Sequence, residues 1–302
     1  GWILLFEEVV SLRDDFEWRY LLMNELKQGV LLEGRPGLSM LSDAFEIAKR
    51  ELDTEKLSVH PDFLLVQAET GKRQLGVEQA EAVLSRCALR PAIAKRQVVI
   101  IDGIDRMTVA GQNKLLKMIE EEESILVLAV AYSSAVLDTI KSRLSKVIYR
   151  PLDYKQFCEY PAMSQADDTD RCMYFYLTDG CPGLVEEMDG LKPVCKDIIA
   201  AVEECQLKNL LPAMHLLTEK DKDSVAQGQY KKQVIQFLEA CFASELMSLY
   251  GVSDGFLKPN TSYKHSQLVG ILFMLTEAKT RCSSSTYSKD NFFDLIMRII
   301  TA

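Results

Sequence analysis

The sequence predicts an α/β layered domain built on a parallel sheet, followed by segments that are helical to the end of the chain. Three observations carry that reading. Short apolar runs alternate with amphipathic stretches over residues 29–150. One run, Val98–Ile101, sets four β-branched residues in a row, the pattern of a strand buried on both faces. Beyond Pro151 the spacing of apolar residues is helical.

Each element follows from its own pattern. Val30–Leu32 is a short apolar run ending near Gly34, which reads as a buried strand. Residues 39–52 place Leu41, Ala44, Phe45, Ala48 and Leu52 at helical spacing. Residues 62–69 read as a second strand, and 76–89 as a helix with Val77, Ala80, Val83, Leu84 and Cys87 on one stripe. Residues 97–103 form the strongest strand pattern. Residues 108–122 read as a helix with Thr108 as its N-cap. Residues 124–132 read as another central strand, 135–144 as a helix and 146–152 as a closing strand. Alternation of this kind implies parallel strands joined by helical crossovers.

Residues 151–192 carry short helical pieces centred on 178–188. From 193 onward the stripes are Val234, Phe237, Leu238, Cys241, Leu246 and Leu249, then Leu268, Ile271, Leu272 and Leu275, then Phe292, Leu295, Ile296 and Ile299. Residues 218–229 read as a polar connector, and 283–290 break the pattern. The expected organisation is an α/β domain over 1–150, a small helical domain over 151–192 and a helical domain over 193–302.

Composition narrows the function. The 302 residues are 48% hydrophobic and 26% charged, the balance of a globular protein of two or three domains. The net charge of -9 makes the chain a poor candidate for holding DNA on its own, since that affinity comes from Lys and Arg at phosphates. The eight Cys form no C-x-x-C pair and no ligand spacing with His, so they read as buried reduced thiols, with no metal site. No apolar run approaches the ~20 residues of a membrane span, and a cytoplasmic location is expected.

Three stretches point to chemistry. "GVLLEGRPGLSML" (29–41) has the strand, glycines and helix of a phosphate-binding loop. Set on the pattern G-x-x-x-x-G-K-[ST], it keeps Gly34 and has Gly37 within the loop. It then places Ser39, Met40 and Leu41 where Gly, Lys and Ser/Thr should stand. Met40 brings no charge to a phosphate and Leu41 no oxygen to Mg²⁺. A strand-Gly-helix turn of unrelated purpose gives a similar pattern. In "VVIIDGID", Asp102 ends the central strand, where a phosphate loop's metal-binding acid stands. It reads equally as a strand-end turn residue. Gly103 follows it, and Asp105 is too distant to replace an acid there. In "TIKSRLS", Ser142 and Arg143 follow a helix. By spacing alone Arg143 is a solvated arginine, although an arginine at a domain edge can also serve a neighbouring subunit's nucleotide.

Taken together these pieces are more specific. "HPDF" (60–63), "VEQ" (77–79), "VVIIDGIDRMT" (98–108), "NKLLKMIEEEE" (113–123) and "TIKSRL" (139–144) run in order. They resemble the HPD, IDQIR, VVIIDDAERMT, NALLKTLEEP and TIRSRC blocks of the delta-prime family of bacterial DNA polymerase III clamp-loader subunits. "DGCPGLVEEM" (179–188) resembles that family's G-x-P-G segment. The resemblance covers about residues 28–190. It implies an AAA+ nucleotide-binding-type domain with a degenerate P-loop, a helical lid and a helical collar. It implies a stator in a hetero-pentamer with the motor (gamma/tau) and delta subunits, acting on a sliding clamp and primed DNA. In many such subunits the P-loop site is not used for ATP, and on the resemblance Arg143, with Ser142 beside it, is the finger lent in trans. In AAA+ ATPases an acid that activates the attacking water stands where this chain has Gly103.

The chain departs from the family at Leu144 for Cys, Glu122 for Pro, and Ala80 and Glu81 for Ile-Arg. The family's four-Cys zinc module has no counterpart, since residues 42–59 hold no Cys, so no zinc is expected. Two other readings stay open: a degenerate AAA+ scaffold outside replication, and an active AAA+ motor, which needs the missing residues at 40, 41 and 103.

Overall fold

The structure, a computed structural model, describes residues 29–68, 74–204, 224–252, 259, 263–282 and 289–301. The chain divides into two compact units, Gly1–Pro151 and Leu152–Ala302.

The first unit runs β1 (Gly29–Glu33), α1 (Met40–Glu51), β2 (Phe63–Val66), α2 (Val77–Cys87), β3 (Gln97–Asp102), α3 (Val109–Glu121), β4 (Ile125–Ala131), α4 (Asp138–Lys141) and β5 (Ser145–Ile148). The five strands stand in the order β2-β3-β4-β1-β5, and every pairing is parallel. This is the α/β parallel sheet that the alternation requires. Leu31, Val99, Ile101, Val127 and Ala129 share one cluster with Ala80 and Val83 of α2 and Leu115, Met118 and Ile119 of α3. The intervening residues Val30, Leu32, Val98, Ile100, Leu126 and Leu128 are just as inaccessible, because α1 covers the other face with Met40, Ala44, Ile47 and Ala48. Burial on both faces explains why β3 and β4 are continuous apolar runs rather than alternating ones.

Three elements are shorter than the sequence pattern suggests. β2 ends at Val66, and residue 69 lies outside the described residues. The helix expected over 135–144 is reduced to Asp138–Lys141. The buried side chain of Gln112 explains this. It accepts a hydrogen bond from the Leu137 N–H (2.9 Å) and donates to the Ala135 carbonyl (3.4 Å), holding the preceding residues extended. β5 ends at Ile148. The Tyr149 N–H still donates to the Glu33 carbonyl (2.7 Å), but Pro151 has no N–H to continue the ladder. Thr108 caps α3 as expected, accepting from the Gly111 N–H at 3.2 Å.

The described helices of the second unit are α5 (Tyr154–Cys158), α6 (Asp168–Thr178), α7 (Val185–Met188), α8 (Lys192–Glu204), α9 (Ser224–Ser248), α10 (His265–Cys282) and α11 (Lys289–Ile300). One core joins α6 to α11, with Leu177 and Met188, Ile198 of α8, Phe237 and Phe242 of α9, Leu268 and Leu275 of α10, and Phe292 and Ile296 of α11, while Phe157 of α5 clusters with Met163 and Tyr174. α9 includes residues 224–229, which the sequence assigns to a connector; residues 218–223 lie outside the described residues. Extending a helix already nucleated by the buried stripe of α9 needs only one residue ordered per new bond, so polar residues join it readily. Leu249 falls in the turn after α9 and is exposed rather than core. Cys87, Cys172, Cys181, Cys195, Cys241 and Cys282 are buried free thiols; Cys158 is intermediate, and Cys205 lies outside the described residues.

Candidate functional site

The carboxyl ends of β1 and β3 bring together two of the three stretches that carry chemistry, at the edge where open α/β sheets place their ligand crevices, while Ser142 and Arg143 precede β5 and stand at the sheet's other end. β4 separates β1 from β3: Glu33 is in register with Ala131, and Asp102 with Val130. The loop after β1 and the acid at the end of β3 therefore share one edge.

The loop after β1 is a glycine turn that leads into α1. Gly34 donates to the Ala131 carbonyl at 3.0 Å. Gly37 has φ 82°, a left-handed conformation that glycine adopts without strain. Side chains pack closely on the turn. Met40 has no exposed surface. A Cβ added to Gly34 would stand 2.7 Å from Tyr149 Cβ and 2.9 Å from the Met40 sulfur, so both side chains press on the glycine. The first turn of α1 holds the buried carboxylate of Asp43, which accepts from Tyr149 Oη (2.8 Å) and Ser39 Oγ (3.1 Å). A buried carboxylate now lies at the helix terminus that would favour a phosphate.

The acidic motif is likewise committed to the protein's own groups. Asp102 accepts from Tyr132 Oη at 2.7 Å and stands 3.8 Å from Arg106 Nη2. Arg106 lies 5.3 Å above the Tyr132 ring. Burial, reinforced by the hydrogen bond to Asp102, pushes the Tyr132 phenol well above its ordinary range, so it stays protonated and donating. Gly103 has φ 83°, and a Cβ there would collide with the Arg106 guanidinium. The space an acid would need is taken by a cation. Asp105 accepts from the Tyr132 N–H (3.1 Å) and Ser133 Oγ (2.8 Å), closing the turn. The residues present do not fit a bound Mg²⁺-nucleotide: the lysine, the hydroxyl and the second acid are missing, and the remaining acid is paired. Among the described residues no group of three or more His, Cys, Asp and Glu stands where it could hold a metal ion.

Arg143 lies in the turn between α4 and β5, partly exposed. Its Nε and Nη2 donate to one oxygen of Glu120, at 3.0 and 2.8 Å, and its Nη1 donates to the Thr139 carbonyl at 2.8 Å. Ser142 Oγ donates to the same carbonyl at 3.1 Å. Leu144 is core: its side chain packs against the backbone at Gly29.

This geometry sits within a matching sequence. Residues 18–153 match the family model described as DNA polymerase III, delta subunit. The DNA polymerase III subunit delta' of Bacillus subtilis (strain 168) is 27% identical over 150 residues, 44% of this chain and 45% of that protein. Over these residues the chain is delta-prime-like. The match spans under half of the curated relative's length. Among solved structures, a DNA polymerase III gamma subunit-related protein from Thermotoga maritima shares the fold, with a TM-score of 0.51 at 16% identity over 94% of this chain and 97% of that one. The clamp loader delta protein of Bacillus subtilis aligns over 94% of this chain and 98% of its own, with a TM-score of 0.36 and 10% identity. Among the described residues no helix is long and apolar enough to cross a membrane.

The fold brings Gly34, Gly37, Ser39, Met40, Leu41, Asp102 and Gly103 to one strand edge and sets Ser142 and Arg143 on a turn leading into β5. Sequence reading missed the residues that fill and fasten this edge, Asp43, Tyr149, Arg106, Tyr132 and Gln112, and the Glu120 that holds Arg143. Their roles depend on contacts distant in the chain, such as the one between Asp43 and Tyr149, 106 positions apart, which no local pattern signals.

Proposed function

We propose that this chain is a non-catalytic, delta-prime-type stator of a bacterial clamp loader. It joins motor and delta-type subunits in a hetero-pentamer that places a sliding clamp on primed DNA, and it works in the cytoplasm. It binds neither ATP nor zinc itself. Arg143 offers its guanidinium to the γ-phosphate of ATP held by the neighbouring motor subunit.

One observation carries this reading: the nucleotide edge keeps its frame while its own side chains occupy it. Met40 and Tyr149 pack on Gly34, and Arg106 takes the space beside Gly103. The delta-prime-like sequence of residues 18–153 supports the assembly that this edge would serve. Arg143 is partly exposed and anchored from its own side, as a group presented to a partner must be.

The test is the DNA- and clamp-stimulated ATPase of the reconstituted loader with the wild-type chain and with Arg143→Ala. With assembly intact, a fall of about 10-fold or more is expected, since trans arginines contribute at least that much to phosphoryl transfer. An unchanged rate in an intact complex removes the finger and leaves a structural subunit. Failure of the wild-type chain to assemble overturns the replication reading in favour of a scaffold acting elsewhere.

A further inference from the structure

We infer that Glu120, at the end of α3, is the positioning residue for Arg143, which it holds so that two guanidinium N–H bonds point free for a partner's phosphate. The inference rests on the trans role proposed above.

An arginine has five N–H donors in a fixed planar fork. Three are used within this chain: Nε and Nη2 on Glu120, Nη1 on Thr139. One donor remains on each terminal nitrogen, the number a phosphate takes in a paired contact. The anchors come from two directions. Thr139 belongs to the short helix α4 that precedes the arginine. Glu120 is 23 residues earlier in the chain, on α3. α3 is itself tied to the segment before α4 through Gln112, which bonds the backbone at Met107, Ala135 and Leu137. Glu120 and Thr139 thus hold the guanidinium directly, while Gln112 ties α3 to the segment that leads into α4.

A free arginine carries substantial rotamer entropy, which it loses when it engages a transition state. Holding it beforehand removes that loss from the chemical step, so Glu120 acts on turnover rather than on nucleotide affinity. The pair is partly exposed, with side chains 31% and 57% accessible, so the effect is that of a surface contact and not of a buried ion pair.

The experiment uses the reconstituted loader with clamp, primed DNA and ATP, and four versions of this chain besides wild type: Arg143→Ala, Glu120→Ala, Glu120→Gln and the double Ala variant. Glu120→Ala is expected to lower kcat by about three- to five-fold with KM for ATP unchanged. Glu120→Gln keeps an acceptor at the same reach and recovers most of that loss. The double variant is expected to be no slower than Arg143→Ala, because Glu120 acts only through the arginine. Gel filtration of each complex establishes assembly.

If Arg143→Ala lowers the rate and Glu120→Ala does not, the positioning role is wrong and the trans reading stands. If Glu120→Ala raises the rate, the carboxylate restrains the arginine instead, and the inference is overturned. If losses multiply in the double variant, Glu120 works through another group. If Arg143→Ala has no effect, the trans reading fails and the inference with it.

Discussion

Asp62 shows what one side chain does at the sheet's opposite end. It is buried and accepts from the backbone N–H groups of Ala92, Ile93 and Ala94 at 2.6, 2.8 and 2.8 Å, fixing the loop that leads into β3. Burial opposes its charge, but the three N–H groups and nearby His60 outweigh that, and its pKa lies below the ordinary value. A depressed carboxylate contributes stability above its unfolded pKa, about 4, and loses it as pH falls through the lower folded value. Asp62→Ala is therefore expected to destabilise the fold by about 2–3 kcal/mol at pH 7. The gap between variant and wild type should shrink as urea melts are repeated below about pH 4. A gap that is the same at pH 7 and pH 3 contradicts the assignment. Gly103 offers a second test at this scale. Gly103→Glu puts a side chain in a left-handed conformation and against Arg106, and is expected to cost about 1–3 kcal/mol. It should create no ATPase. An unchanged urea midpoint would mean that Arg106 moves aside freely.

At the scale of elements, α3 organises the site. Thr108 fixes where it starts, Leu115, Met118 and Ile119 seat it on the sheet, Gln112 bonds the segment before α4, and Glu120 reaches Arg143. Gln112→Leu keeps the volume roughly but strips the buried partners of Leu137 and Met107. A loss of about 1–3 kcal/mol is expected for groups left unpaired in the interior. The same variant should weaken the effect of Arg143 on the loader's ATPase, because the tie between α3 and the segment before α4 loosens. If the urea midpoint falls while the ATPase is untouched, Gln112 serves the fold and not the arginine. α4 shows why an element boundary escapes a sequence reading. Its flanking residues carry helical spacing, but a side chain 25 residues away claims the Leu137 N–H first.

At the scale of the whole molecule, each core lies within its own unit: the sheet cluster spans Leu31 to Leu144, and the helical cluster spans Met173 to Ile300. The carboxyl edge of the sheet, with Gly34, Met40 and Asp102, belongs wholly to the first unit. Isothermal calorimetry of the purified chain with Mg²⁺-ATP is expected to give no measurable heat of binding. Binding in the micromolar range would require Met40 to leave its pocket and Arg106 to release Asp102, and would refute the reading of this edge.

The sequence by itself determined the parallel α/β sheet, the helical second half, and that no Lys, Ser/Thr or acid of a phosphate-loop pattern stands at 40, 41 and 103. These follow from local facts: β-branched runs that must be buried on both faces, apolar stripes at helical spacing, and residues that lack the required charge or oxygen. Only the tertiary structure decided what occupies the carboxyl edge of the sheet and what holds Arg143. Met40 and Tyr149 close on Gly34, Arg106 lies where a side chain at 103 would stand, and Glu120 holds Arg143. These pairings join positions far apart in the chain, and their specificity comes from shape and hydrogen-bond geometry in the packed state. No periodicity records that information, so it exists only once the strands and helices have met.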